Sequence, residues 1–580
     1  MRTRPLAALV LLCTAVAGVL ATPVTQPEAE SYRESLRVTP FPDGKVLSEF
    51  RFTLDGPWQE MDIDVSSNAV AHHHTLLPRL LTSLVRRHRV ASFHLTLSSG
   101  RWLPTWPIHL PASLPASGIE LTAWLELLEG ESDADERRRW EAFTSTVSGL
   151  FCAGVVADGV ETGTSSPTWA VPFEGKGDEA EHRLYRLTMP RLAAACTESL
   201  TPFLSLLPCA SHAGLTSLLN PHRLFDGEWT LIGINFAKEE AEETAKIELE
   251  VGSVQDPVRR DRLTGQMGRR EFSLHSLFDR TLSNACPVAN ASTIELIVPT
   301  HSISPFSIEP DRARVLQTVE GRDVAIWDVQ QALESAALDV RVTWPGENVF
   351  QHPLRSKLPV PPLTVRRITH GVGVERGRIG VELVNNLDEE AQVVWGETWP
   401  WWLRTYLSTL EVTVDGNASS DLVTALDYVP SIARKRPTSL QALLRVPRRS
   451  TARLLVAYET ASLWYTEYPS DANRGFAVPG AAVTLLSPVD PNGADEGASS
   501  SRGRGFFAER GRPRLRLNTP TTLISLPTPD FSMPYNVIIL TSTVVALFFG
   551  SVMNGLVRKW WAVDVGPDTG EGEGEKVKGD

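Results

Sequence analysis

Apolar and polar residues alternate with a period of two through most of the chain after Cys209. Ile247-Leu249-Val251, Ile294-Leu296-Val298, Leu338-Val340-Val342, Ile379-Val381-Leu383 and Leu410-Val412-Val414 each alternate mostly with polar residues. Runs of this kind are strands with one face buried. The 41 prolines and 40 glycines fall mostly between them, where turns are needed. Short alternating strands separated by turn residues predict antiparallel, sandwich-like sheets rather than a parallel α/β core. No internal repeat is visible.

Before Cys209 the pattern is mixed. Val46 to Leu54 reads as the first strand. Leu77, Leu80, Leu81 and Leu84 fall at helical spacing, and Arg86, Arg87 and Arg89 suit the C-terminal end of that helix. Phe93, Leu95 and Leu97 alternate with His94 and Thr96. Ile119, Leu121, Ala123, Leu125 and Leu127 alternate with Glu120, Thr122 and Glu126 among others. Both read as half-buried strands. An amphipathic helix is predicted from Asp133, which acts as N-cap with Glu136 three residues on; Trp140, Phe143, Val147 and Leu150 share one face. It runs into Cys152, predicting a buried thiol. Gly159 to Lys176 reads as a loop, and Leu184 to Leu187 as a strand stopped by Pro190.

One stretch follows neither period. From Val537 to Val557 no side chain ionises. Its 21 residues, at ~1.5 Å each, make about 32 Å of helix, enough to cross a hydrocarbon core of ~30 Å. Gly550, Ser551 and Gly555 would let a neighbouring helix come close. Arg558 and Lys559 follow at once, then Trp560 and Trp561, the residues of a membrane interface. Basic residues after the span predict a cytosolic C-terminus. A GPI-attachment signal would end on its apolar tail, whereas here 23 mostly polar and charged residues follow. At the other end, Arg2 and Arg4, the apolar run Leu6 to Leu20, and small residues at Val19 and Ala21 read as a cleaved secretory signal.

The fold expected is therefore mainly β, with some α in the N-terminal third: an antiparallel β-sandwich-like luminal region plus one C-terminal transmembrane helix. The organisation expected is a signal peptide over 1–21 and an α+β luminal region over 22–210. A β-sandwich-like luminal region over 211–533 follows, with a mobile Gly-, Ser- and Arg-rich loop at 487–514. The transmembrane helix covers 534–557 and a cytosolic tail 558–580.

Composition narrows the function. A net charge of −13, with no long basic tract, argues against nucleic acid as a partner. Charged residues at 22% and hydrophobic residues at 42% are ordinary for a folded protein. His72-His73-His74 cannot all face one metal, since adjacent positions share neither a helix face nor a strand face. No metal or cofactor is expected. No nucleophile elbow, phosphate loop, dinucleotide fingerprint or paired CxxC is present, so no catalytic residue is assigned. A thiol hydrolase acting alone would need Cys196 with His212, or Cys209 with His182, brought together. Losing Cys13 with the signal leaves Cys152, Cys196, Cys209 and Cys286. A local Cys196–Cys209 bridge is the default for neighbours so placed, but spacing cannot choose between it and a bond to a partner. Asn290-Ala-Ser292 and Asn417-Ala-Ser419 are glycosylation sequons suited to a luminal surface. From these features alone, a type I cell-surface adhesion or binding ectodomain is a competing reading.

Leu526-Pro-Thr-Pro-Asp-Phe-Ser-Met-Pro-Tyr-Asn-Val-Ile538, running straight into the span, resembles the C-terminal hallmark of the PIG-T family. Ser148-Gly-Leu-Phe-Cys-Ala153, Cys196-Thr-Glu-Ser-Leu-Thr-Pro202 with Leu206-Leu-Pro-Cys209, and Cys286-Pro-Val288 are similar to further family blocks. So are Trp399-Pro-Trp-Trp-Leu-Arg-Thr-Tyr-Leu407 and the segment from Trp464 to Phe476. They occur in family order from about residue 45 to 560. The resemblance implies a non-catalytic luminal scaffold subunit of GPI transamidase in the endoplasmic reticulum membrane. That complex replaces the C-terminal signal of a proprotein with a GPI lipid. Partners implied are a caspase-like catalytic subunit, the complex's other membrane subunits, the proprotein and the GPI lipid. The resemblance also implies a disulfide from Cys196 to the catalytic subunit, leaving Cys209 and Cys286 to pair within the chain and Cys152 free. Ser199 and Phe203 depart from the commoner Asn and Trp of the family block.

Overall fold

The computed structural model describes residues 30–58, 76–108, 112–153, 155, 163–165, 182–190, 196–239, 244–258, 268–299, 305–311, 314–319, 322–334, 336–354, 358–371, 373–419, 421–469, 471–487, 513–530, 532–559 and 561. The signal segment, the histidine triplet, most of the 487–514 loop, Trp560 and nearly all of the tail lie outside the described residues. The chain divides into two units, 1–526 and 527–580.

The first unit holds two cores. Eleven strands build one large sheet: β1 (Ser31–Pro40), β2 (Val46–Pro57), β3 (Val90–Gly100), β4 (Gly118–Glu126), β5 (Gly163–Ser165), β6 (His182–Met189), β7 (Trp229–Glu239), β8 (Thr244–Gln255), β9 (Ala291–Ile297), β10 (Arg314–Val319) and β11 (Arg322–Asp328). Their order is β10-β11-β9-β1-β2-β8-β7-β3-β4-β6-β5. Neighbours are antiparallel except β1 and β9, which run parallel from Arg33 opposite Ala291 to Val38 opposite Leu296. Strands from both sides of residue 210 join here, so the division expected at 210/211 falls inside the sheet.

The longer helices that contribute to this core are α1 (Arg79–His88), α2 (Asp133–Phe151) and α3 (Thr197–Ser205). Leu81, Leu84 and Val85 of α1, Trp140, Phe143, Val147 and Phe151 of α2, and Leu200 and Phe203 of α3 enter one cluster with Phe50, Phe52, Phe93 and Leu121. Burying each such side chain contributes roughly 1.5–3 kcal/mol relative to exposure. The N-cap of α2 is Ser132, whose Oγ accepts from the Asp135 backbone N–H, and not Asp133. Asp133 instead lies in the first turn, where its charge faces the positive end of the helix. The helix ends at Cys152, which takes a left-handed conformation with φ 50° and is exposed. The buried thiol expected there is corrected: Phe151 takes the last inward position and the cap residue turns away.

The strand over β4 departs from half-burial for another reason. Ile119, Leu121, Ala123 and Leu125 enter the large core as the alternation predicts. Glu120, Thr122 and Trp124 on the opposite face are buried as well. Part of what covers that face comes from the second core, through Arg516.

That second core is a sandwich. One sheet has the order β12-β13-β19-β15-β16, where β12 is Leu363–His370, β13 Arg376–Asn385, β15 Leu403–Val414, β16 Asn417–Ala418 and β19 Thr451–Thr460. The facing sheet has the order β17-β18-β14-β21-β22, with β14 Ala391–Trp399, β17 Val423–Val429, β18 Thr438–Val446, β21 Ala482–Leu486 and β22 Pro513–Asn518, and adds Ala112–Ser113 at its edge. Ile379, Val381, Leu454 and Val456 meet Val393, Trp395, Leu440, Ala442 and Val483 between the sheets. The fold is mainly β, as the period-two runs predict. One run is shorter than expected: around Leu338-Val340-Val342 only Arg341–Thr343 forms a strand. Near the end of the unit, β23 (Thr522–Ile524) pairs with β20 (Phe476–Val478).

The second unit contains α4 (Ser532–Val557). From Tyr535 to Val557 it is long and apolar enough to cross a membrane, and none of that stretch is buried.

Candidate functional site

Cys196 starts α3. Its backbone is extended, at φ −145° and ψ 173°, and its carbonyl accepts from the Ser199 N–H at 3.1 Å. Its Sγ lies 3.4 Å from Ser199 Oγ, the one hydrogen-bonding contact of the thiol among the described residues. Cys196 is partly exposed and unbonded. The helix behind it is anchored: Ser199, Leu200 and Phe203 are buried, and Leu206 and Leu207 carry the apolar surface on past its end. Pro202 sits inside the helix and removes one backbone donor. A rigid, core-anchored helix start therefore presents a thiol at the surface.

Cys209 is bonded to Cys286, with the Cα atoms 6.0 Å apart. The local Cys196–Cys209 bridge favoured by spacing is thus not formed. The bond closes a separation of 77 residues, worth ~4–5 kcal/mol on the chain-entropy account. It ties the turn after α3 to the segment that enters β9. With its sulfur in that bond, Cys209 has no thiolate to offer His182, and the Cys209–His182 arrangement of a thiol hydrolase is removed. The Cys196 thiol meets Ser199 and makes no hydrogen bond to His212 among the described residues.

Beside the disulfide lies a carboxyl group that sequence reasoning missed. Glu34 occupies an inward position of β1 and is 2% exposed. Its Oε1 accepts from the Leu215 N–H at 3.1 Å and from Ser292 Oγ at 2.6 Å, while Tyr32 OH lies 3.4 Å from Oε2. Burial pushes this carboxyl above the usual range, against the lowering effect of those donors. Gly214, at φ 70°, lets the chain pass: a Cβ there would stand 2.5 Å from Glu34 Oε1 and 2.8 Å from the Cys286 Cβ. The signal available was the alternation Tyr32, Glu34, Leu36, Val38, with an acid where an apolar residue belongs.

The sequons sit differently. Asn290 adjoins this network; its Oδ1 accepts from the Tyr32 N–H at 2.8 Å and the residue is exposed, whereas Ser292 is buried on Glu34. Asn417 opens β16, directly after the turn in which Asp415 and Gly416 both have positive φ, and is exposed.

A second polar cluster joins the two cores. Glu120 Oε1 accepts from Arg186 Nε at 2.9 Å and Nη2 at 2.6 Å, and from Arg516 Nη2 at 2.5 Å. All three side chains are at most 8% exposed. Burial opposes the charge of Glu120, yet the two guanidiniums outweigh it and hold its carboxyl well below the usual range. Close by, a Cβ on Gly163 of β5 would stand 2.6 Å from Thr398 of β14.

A family model described as "Gpi16 subunit, GPI transamidase component" matches residues 15–578. The GPI-anchor transamidase component PIGT of Homo sapiens is 32% identical over 96% of this chain and 94% of its own length. The GPI transamidase component GPI16 of Saccharomyces cerevisiae is 28% identical over 92% of this chain and 89% of its own. Among solved structures, a GH20 exo-β-N-acetylglucosaminidase from Vibrio harveyi overlaps 30% of this chain and 20% of its own at 10% identity, with a TM-score of 0.15, too low to indicate a shared fold.

Proposed function

The chain belongs to the Gpi16 family of GPI transamidase components, and on that premise we propose that it is the non-catalytic scaffold of the complex, holding a caspase-like catalytic subunit through Cys196. The observation that carries this reading is the division of labour among the cysteines. Cys209 and Cys286 are bonded to each other, with Cys286 fully buried, while Cys196 carries no disulfide and stands partly exposed on a helix fixed into the core. Exchange with a disulfide oxidant of the lumen, which is reduced to two thiols as it takes up the two electrons and two protons, leaves one S–S bond between subunits. Such a bond contributes ~2–4 kcal/mol, whereas a stable interface buries roughly 1,200–2,000 Å² with its own anchors. The disulfide fixes register; the surface around it carries most of the affinity. The active thiol belongs to the partner.

In this reading 1–21 is a cleaved signal, the unit ending at Leu526 is luminal, α4 crosses the endoplasmic reticulum membrane, and the tail from Arg558 is cytosolic. Asn290 and Asn417 carry glycans. The scaffold helps present the proprotein and the GPI lipid to the catalytic subunit.

Non-reducing electrophoresis of the assembled complex tests the link. Wild type runs as a heavier species that reductant collapses, and Cys196→Ser lacks it while still assembling and retaining part of the transamidation. Retention of that species in Cys196→Ser overturns the assignment.

A further inference from the structure

The turn between β17 and β18 meets the segment after β19 in an aromatic stack directed outward. Arg434, at φ 60°, places its guanidinium 4.6 Å from the centre of the Trp401 ring and 3.9 Å from that of Trp464. Its Nε and Nη2 donate to the two carboxylate oxygens of Glu467 at 2.6 and 2.9 Å. Glu467 also accepts from the Trp464 backbone N–H at 2.6 Å. Trp464 is thus held through both its ring face and its backbone, yet it is 63% exposed. Tyr465, next in the chain, and Ile432, in the same turn as Arg434, are 48% and 46% exposed. A large indole fixed in place and left outside the core has already lost the rotamer freedom that binding would otherwise take away. The arrangement is that of a preformed contact.

Its position in the chain says what it meets. Tyr468 packs edge-on against Phe476 at 5.8 Å, and Phe476 pairs with Ile524 in the β20–β23 ladder. A Cβ on Gly475 would stand 3.1 Å from the Ile524 carbonyl oxygen. Leu523, in the same short strand, is 50% exposed. The first unit ends three residues after Leu523, at Leu526, and the apolar stretch of α4 begins at Tyr535. Nine residues reach at most about 30 Å. By connectivity alone, a bilayer crossed by α4 has its interface within that distance of Leu526.

We propose that Trp464, Tyr465 and Ile432, flanked by Lys435 and Arg474, form a lipid contact in which the rings lie at the level of the phospholipid headgroups. This rests on the reading that α4 spans a membrane. Trp and Tyr favour that level because each joins an apolar body to a polar tip. Lys435 and Arg474 are exposed, and neither side chain has an ion-pair partner among the described residues. The acids on the surface do not reverse this: Glu467 is neutralised by Arg434, and exposed Asp471 is outnumbered by the two cations. The contact would fix the tilt of the first unit over the membrane, which a nine-residue connection by itself leaves open.

The test uses the full-length chain in its assembled complex, in phospholipid nanodiscs containing an alkyne-tagged phosphatidylcholine. A benzophenone amino acid replaces Trp464, or in separate samples Phe548 in α4, or Leu316, which is 61% exposed on the edge strand β10. After irradiation, lipid tag on the 464 chain is expected several-fold above that on the 316 chain and comparable to that on the 548 chain. A 464 signal no higher than the 316 signal overturns the proposal, and so does an adduct joining position 464 to another subunit. Absence of tag at 548 refutes the span itself and the lipid contact with it. Where the probe at 464 prevents assembly, the probe at Tyr465 decides by the same criteria.

Discussion

At the scale of single residues, the least legible group is also the most consequential near the cysteines. β1 is absent from the sequence reading because Glu34 interrupts an otherwise apolar set of inward positions, and an acid at such a place reads as a surface. What makes it an interior residue is supplied from afar: the Leu215 N–H and the Ser292 hydroxyl arrive from other parts of the chain. Cys152 shows the reverse case, an apolar-looking residue made exposed by a helix cap that no periodicity marks. Burial raises the carboxyl pKa of Glu34, so the folded state favours the neutral acid. The stabilisation is therefore complete below the unfolded value of ~4.3 and is lost as pH rises through the raised folded value. Glu34→Gln, which keeps an acceptor for both donors and never ionises, should flatten that slope. Thermal melting of the full chain at pH 5 and pH 7.5 should show wild type losing Tm relative to Glu34→Gln at the higher pH. Glu34→Ala should cost roughly 1–3 kcal/mol at either pH by leaving a buried N–H unpaired. Parallel pH profiles for wild type and Glu34→Gln would show that Glu34 is ionised in the fold without penalty.

At the scale of elements, strands and helices were legible wherever one face meets water. β8, β9 and β13 follow their alternating runs, and α2 follows its apolar stripe; in α1 Leu81 and Leu84 turn inward as expected, whereas Leu80 is exposed and Leu77 is buried just before the helix starts. The reading weakened where both faces are covered, as in β4, and where pairing is decided by a distant segment. Cysteine pairing is of the second kind: 13 residues separate Cys196 from Cys209, but the fold of β9 against β1 delivers Cys286 to Cys209 instead. The bond then links the turn after α3 to a strand entry in the middle of the large sheet. Removing it should cost ~4 kcal/mol from the loop it closes, and more if a serine hydroxyl is left in the fully buried place of Cys286. Cys286→Ala should lower the Tm of the purified chain, whereas Cys196→Ser, at the surface of α3, should leave it within about 0.5 kcal/mol of wild type. Equal destabilisation by the two variants would mean that Cys196 has a structural role within the chain.

At the scale of the molecule, the mainly β character was legible, and the placing of the boundary was not. Period-two runs say that sheets form but not which runs join, and the partners of β1 in the large sheet are β2, the next strand in the chain, and β9, over 250 positions on. The contact between the large sheet and the sandwich was equally invisible, since Glu120 on an alternating strand looks like solvent-facing polarity. Its partner Arg516 is 396 residues away. That contact is a buried anion between two buried cations, an arrangement whose geometry matters more than its net worth. The attraction between the ions is offset by their desolvation, but taking away one member leaves the others buried without compensation, at a cost of ~3–5 kcal/mol. Glu120→Gln should therefore destabilise the first unit by about that much at neutral pH, and because the two cores share this cluster the loss should show as decoupling. Calorimetry of the full chain should change from one main transition to two, with β22 becoming accessible to protease before the large sheet does. The pH dependence has the opposite sign to that of Glu34: a depressed carboxylate contributes stability that is present at neutral pH and lost as pH falls through its folded value, below the ordinary carboxylate range. Adding Arg516→Met to Glu120→Gln removes one of the stranded cations and should restore part of the lost Tm. A Glu120→Gln protein with unchanged Tm and a single transition would mean that the apolar contacts around β5 and β14, and not this ion cluster, hold the sandwich to the sheet.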